Sequence, residues 1–199
     1  MTSQTAFFDE RAEKWEETCY PPPVRKQLTA LVPEFGVKTG ERLLDLGTGP
    51  GILIPYLQVC AGPYGQILAI DISYRMIRQA RKKIRNTGDI AIQANALQLP
   101  FKDKVFDRVI CFAAFPHFND PGRAVQEMGW VLRPGGTLVI AHLMSREELA
   151  NHHAGHESVA RDLLPDDQRM TMFFIEAMLS PPEIMNRPGL YMAKGLKNI

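Results

Sequence analysis

Two acids set around a run of glycines offer the first chemistry in the chain. In the segment LLDLGTGPG, Asp45 is followed by Gly47, Thr48, Gly49 and Gly51. A turn so rich in glycine can adopt positive φ, and it lets a ligand lie against the backbone where any Cβ would obstruct it. About twenty residues further on, the segment LAID ends in Asp71, whose carboxylate could accept both hydroxyls of a ribose. Asp45 would repel a pyrophosphate but suits an ammonium group or loop amides. The two acids therefore read as a seat for a nucleoside without phosphates. One GxG alone also fits a plain structural turn, and the binding reading rests on the strand, turn, helix and strand-end acid occurring together.

Histidines supply the second chemistry. His117 in FPHF follows the fourth strand, where it could serve as a general base or simply pack and order its loop. Four of the five histidines, His142, His152, His153 and His156, fall within HLMSREELANHHAGHESVARD. His142 ends the fifth strand and should face a ligand crevice, since such crevices lie at the carboxyl ends of parallel strands. On a helix, His152 or His153 shares a face with His156 at a spacing that suits a divalent metal. Acceptor binding or proton transfer, a metal site and a solvated connector all fit this tract. Arg146 and Arg161 could grip an acidic acceptor, or be solvated.

The elements that must hold these residues alternate, giving an α/β fold. Strands are predicted at 42–46, 66–70, 90–94, 105–111 and 137–142, each short, apolar and mostly bounded by Gly, Asp or Pro. Helices are predicted at 74–85 and 121–132, the latter capped by Asn119 and Asp120 and stopped by Arg133-Pro134-Gly135-Gly136. Two helices, 9–18 and 23–32, precede the first strand, and a further one follows Pro165. A last pair, 183–186 and 190–194, is joined through Arg187-Pro188-Gly189 and is therefore antiparallel. Together these make a Rossmann-like three-layer sandwich, with a seven-stranded, mostly parallel sheet and an antiparallel last strand.

Composition narrows the function. The 199 residues, 45% apolar and 23% charged with a net charge of +1, suit one globular domain spanning 1–199 and carry no field toward nucleic acid. No apolar run nears the roughly 20 residues of a membrane helix, and no secretory signal opens the chain, so a cytoplasmic location is expected. Cys19, Cys60 and Cys111 are odd in number and unpaired by spacing, which fits reduced structural thiols.

The motifs DLGTGPG, AIDIS with Met76 following, NALQLPF, FDRVICFAAFPHF and VLRPGGTLVI occur in the order found in one family. From FFDERAEKW to YMAKGLK the chain resembles the class I S-adenosylmethionine-dependent methyltransferases, in particular the small group related to menaquinone and ubiquinone methyltransferases. The resemblance implies methyl transfer from S-adenosylmethionine to a small-molecule acceptor, with S-adenosylhomocysteine as product. It places Asp45 and the loop 47–51 around the methionine moiety, Asp71 on the ribose, and Ile72 and Met76 against adenine. Asn95 and Ala96 stand where the family commonly has Asp-Ala; the Asn95 carboxamide can still accept from the adenine amino group, less strongly than a carboxylate. Cys111 and Phe112 would line the pocket near the sulfonium. In relatives, a histidine matching His142, the Ser145-Arg146-Glu147 run, a histidine near His153 and a stretch like Asp162…Leu164-Pro165 recur, implying an acceptor pocket there; His117, His142 and His153 are the catalytic candidates. The helices within 1–40 would form a lid.

Two rival functions follow from the same residues. A nicotinamide oxidoreductase would use GxGxxG, whereas here the third glycine comes one residue early, and no Tyr-x-x-x-Lys pair is present. A cofactor- or metal-binding sensor without turnover draws on Asn95. No nucleic-acid or membrane partner is expected, and both a monomer and a homodimer are compatible with the sequence.

Overall fold

The computed structural model describes residues 3–155, 159–160 and 162–198. They fall into two compact units, Met1–Asn95 and Ala96–Ile199. Seven strands form one sheet in the order β3-β2-β1-β4-β5-β7-β6.

The first unit holds α1 (Ser3–Arg11), α2 (Trp15–Cys19), α3 (Pro22–Leu31), β1 (Arg42–Leu46), α4 (Ile54–Ala61), β2 (Gln66–Asp71), α5 (Tyr74–Arg81) and β3 (Ile90–Gln93). β1 pairs in parallel with β2, Leu44 opposite Leu68, and β2 pairs in parallel with β3, Ile70 opposite Ile92. Leu43, Leu44 and Leu46 are fully buried, which is why β1 reads as a continuous apolar run rather than an alternating one. α4 and α5 deliver Ile54, Ile77 and Ala80 to Ala69 of β2 and Ala91 of β3, forming one apolar cluster.

The second unit holds β4 (Phe106–Phe112), α6 (Pro121–Val131), β5 (Leu132–His142), α7 (Arg146–Ala154), α8 (Asp167–Glu176), β6 (Glu183–Arg187) and β7 (Leu190–Leu196). β4 and β5 are parallel, while β7 runs antiparallel to both β5 and β6. The final hairpin therefore forms as its turn residues predict, and it enters the sheet through β7. Asp120 caps α6 by accepting from the Arg123 amide, as expected of that position.

Three elements differ from expectation by more than two residues. The single helix predicted at 9–18 is two helices, because the chain breaks after Arg11 and folds Trp15 back edge-on to Phe8, ring centroids 5.5 Å apart. α5 stops at Arg81 instead of running to residue 85. Its last amides bond three residues back, Ile84 to the Arg81 carbonyl, so Ile84 still packs on the core after the α-helix has ended. β5 begins at Leu132 rather than 137, since Leu132 pairs with Phe106 ahead of an irregularity that accommodates Pro134 and the glycines.

Gly51 fixes how α5 meets the glycine turn. Its φ is +78°, and a Cβ there would lie 2.8 Å from Ile54 Cδ1 and 2.9 Å from Ala80 Cα. Gly49, at φ +54°, faces open space instead. Gly51→Ala is accordingly expected to lower the unfolding free energy by about 2–5 kcal/mol, combining left-handed backbone strain with overpacking. Gly49→Ala should cost only about 1–2 kcal/mol, from the backbone alone. Urea denaturation of the two variants distinguishes the causes, and equal losses would count against the packing role of Gly51.

Candidate functional site

In the first unit the turn after β1 is built around two carboxylates. Asp45 is 1% exposed, and its Oδ2 accepts from the Thr48 hydroxyl at 2.5 Å. The Thr48 amide donates to the Ile70 carbonyl at 2.9 Å, tying the turn to β2. Gly47, Gly49 and Gly51 all have positive φ, as the glycine-rich reading requires. Asp71 does more than the sequence suggested. One of its oxygens accepts from the Gly49 amide at 2.9 Å and the other from the Ser73 amide at 2.8 Å, so it holds the turn.

Burial pushes the Asp45 carboxyl up to about 7, with the neighbouring charge of Asp71 adding to the rise and the Thr48 hydrogen bond and Lys83 opposing it. Such a group prefers a positively charged neighbour, which would restore its ionised form. The expected adenine contacts divide: Met76 is buried, while Ile72 is 40% exposed at the end of β2. Asn95, which closes the unit, is exposed.

The sequence reading gave no role to Asp9. Its Oδ1 accepts from the Ser73 hydroxyl at 2.5 Å and from the Arg75 amide at 3.3 Å, directly after the Asp71–Ile72 step. Glu16 pairs with Lys83 and, at 3.1 Å, with Arg25. The first helices are thus fastened to the start of α5 and just past its end by two acids. Only their acidic character in an aromatic-rich segment could have pointed to this.

In the second unit Ala96 is half-buried, and Cys111 and Phe112 are buried at the end of β4. The following residue, Ala113, takes a left-handed φ of 53° while its amide donates to the Ala141 carbonyl at 2.8 Å. His117 closes a short 3-10 turn, Phe115–His117. Its Nδ1 lies 2.7 Å from Oδ2 of Asp162, and Nδ1 of His153 lies 2.5 Å from the Asp162 backbone carbonyl oxygen. The two imidazoles face each other with centroids 5.3 Å apart. His142 sits among them with Nδ1 buried and no hydrogen-bond partner among the described residues. Burial, and then the proximity of His117, His153 and His152, drives the His142 imidazole down to about 3, so it stays neutral. Burial also lowers His153.

The structure thus brings the three candidate histidines together and adds Asp162, which sequence reasoning had placed only in a recurring stretch. His152 lies exposed beside His153, and the rings are 5.9 Å apart. Arg146 is not a solvated grip. Its amide donates to Asn186 and its Nε to the Pro165 carbonyl, at 2.9 and 2.8 Å, and its guanidinium pairs with Asp167. His156 and Arg161 lie outside the described residues. Among the described residues no group of three or more His, Cys, Asp or Glu is arranged to hold a metal ion, so the divalent-metal reading of the tract has no geometry to support it. No helix among them is long and apolar enough to cross a membrane.

The strand order defines a Rossmann-like fold, and comparison with known proteins agrees. Residues 44–140 match the methyltransferase-domain family. The ubiquinone/menaquinone biosynthesis C-methyltransferase UbiE of Serratia proteamaculans (strain 568) is 30% identical over 175 residues, covering 82% of this chain and 69% of that protein. Two solved structures share the fold. The methyltransferase bound to the Trm112 methyltransferase activator of Haloferax volcanii gives a TM-score of 0.80 at 20% identity, over 100% of this chain and 99% of that one. An S-adenosylmethionine-dependent methyltransferase of Aquifex aeolicus gives 0.70 at 18% identity, over 97% and 98%. The chain belongs to the class I S-adenosylmethionine-dependent methyltransferases and is related to the ubiquinone/menaquinone C-methyltransferases.

The raised Asp45 carboxyl makes a stability prediction. An unfolded aspartate titrates near about 3.9, whereas Asp45 in the fold titrates at about 7. The folded state therefore holds this proton more tightly, and the stability it contributes is present below about pH 4 and is lost as pH rises through about 7. Asp45→Asn should remove that loss. Its unfolding free energy, relative to the parent chain, should be greater at pH 8 than at pH 5, while binding of the methyl donor weakens. An equal difference at the two pH values would take Asp45 out of the pH dependence.

Proposed function

We propose that the chain transfers the methyl group of S-adenosylmethionine to a small organic acceptor, and that the whole of 1–199 serves as one catalytic domain. The observation that carries this reading is Asp45: a buried carboxylate, raised by burial and by Asp71, set beside a glycine turn. A ligand bringing an ammonium and a sulfonium relieves that carboxylate, whereas a pyrophosphate would add to the repulsion. In this reading the loop 47–51, with Thr48, holds the methionine moiety, and Asp71 receives the ribose hydroxyls. Ile72 and Met76 pack on adenine, and Asn95 accepts from its amino group. The helices within 1–40, held by Asp9 and Glu16, cover this region.

Methyl transfer from a sulfonium is an in-line displacement with a good leaving group, so positioning and exclusion of water supply much of the acceleration. The relationship to the quinone C-methyltransferases supports an electron-rich ring, a phenol or hydroquinone, as the acceptor class. The uncharged His142, with its Nδ1 enclosed, favours such an acceptor over a strongly anionic one.

Calorimetric titration with S-adenosylmethionine, S-adenosylhomocysteine and NADH tests the donor. Micromolar binding of the first two and none of NADH is expected, with proton release at pH 7 as Asp45 ionises, seen as a dependence of the heat on buffer. Asp71→Ala should weaken donor binding at least tenfold. Binding of NADH instead would replace this function with a nicotinamide-dependent one.

A further inference from the structure

We propose that His117 is the general base of the methyl transfer, that Asp162 is its positioning residue, and that the acceptor is an oxygen acid whose hydroxyl proton His117 removes. The inference rests on the methyltransferase reading above and assigns the proton chemistry within it.

The geometry fixes which nitrogen is protonated. A carboxylate and a carbonyl oxygen can only accept hydrogen bonds. Nδ1 of His117, 2.7 Å from the Asp162 carboxylate, therefore carries its proton, and so does Nδ1 of His153, 2.5 Å from the Asp162 carbonyl. One residue thus sets the tautomer of two imidazoles, through its side chain and its backbone. In neutral His117 the lone pair is then on Nε2, the arrangement a general base needs, and the carboxylate stabilises the imidazolium that forms.

The three histidines are not equivalent. His142 is half-buried, its enclosed Nδ1 has no hydrogen-bond partner among the described residues, and burial drives the imidazole down to about 3, so it stays neutral at pH 7. His153 is 5% exposed, and its Nδ1 meets a neutral carbonyl rather than a charge. Of these three, His117 alone pairs with a carboxylate among the described residues, and its side chain keeps 14% of its surface accessible. The base is therefore His117, while neutral His142 is suited to hydrogen bonding with an acceptor oxygen.

In the step itself the acceptor O–H bond breaks and its proton passes to Nε2 of His117. The electron pair released into the acceptor forms the bond to the methyl carbon. The sulfur–methyl bond breaks and its pair remains on sulfur, giving neutral S-adenosylhomocysteine. Where a ring carbon is methylated, that carbon then loses its hydrogen to water as a proton, and the proton held on His117 returns to the ring oxygen. Where oxygen is methylated, His117 passes its proton to water. Either way one proton is released for each methyl transferred.

The first test needs no acceptor. Nitrogen-15 spectra of the histidine-labelled chain should show neutral His117 with Nδ1 protonated and Nε2 bare, and Asp162→Asn should erode that preference. Nε2 protonated in the parent chain would overturn the proposal. The second test follows tritiated methyl transfer from S-adenosylmethionine to 1,4-naphthohydroquinone and to substituted phenols. His117→Gln should lower kcat about a hundredfold, and Asp162→Asn at least tenfold, with donor affinity within twofold of the parent. Undiminished kcat in both variants would overturn the base while leaving the methyltransferase reading intact. A parent chain that binds no S-adenosylmethionine would overturn both.

Discussion

The first unit depends on the carboxylate of Asp71. It stands at the end of β2, and its two oxygens accept from amides that belong to different pieces of chain: Gly49, in the turn after β1, and Ser73, the cap of α5. Charge-assisted hydrogen bonds of this kind are stronger than neutral ones and directional. A single side chain thereby sets the turn, the strand end and the helix start in one arrangement. The turn can consequently be rich in glycine, open to a ligand and still ordered. The same proximity sends a second negative charge toward Asp45, so the constraint that orders the loop also tunes its electrostatics.

Much of this could be read from residue types and spacing. The parallel strands show as short apolar runs because both faces are covered, and Asp45, the glycines and Asp71 stand out because strands, turns and acids recur at a spacing that has one structural use. What could not be read was long-range pairing. Asp9 bonding Ser73 and Glu16 bonding Lys83 link positions more than sixty residues apart, and no local periodicity encodes them. Helix ends were similarly obscured: Ile84 keeps its place on the apolar cluster although the α-helix stops at Arg81.

The histidine tract shows a different limit. Its residue types announced chemistry, but spacing along a helix left acceptor binding, metal ligation and a solvated connector all open, whereas the observed partners lie elsewhere. His117 comes from the turn after β4, His153 from α7, and Asp162 from an irregular segment, and it is Asp162 that draws them together. Arg146, equally suggestive by type, is consumed by Asn186, Pro165 and Asp167. In both cases the decisive fact is which acceptor reaches the side chain, and that is settled by tertiary packing.

The bond between Asp9 and Ser73 has a consequence for the order in which the molecule assembles. The segment bearing Asp9 is synthesised before its partner, which lies 64 residues later in the chain. Closing a loop of that length costs entropy before any contact rewards it, so α1 cannot settle until β1, the glycine turn and β2 have already formed. α1 is thus made before its partner yet is among the last elements of this unit to find its place, carrying the aromatic group of Phe7, Phe8 and Trp15 with it.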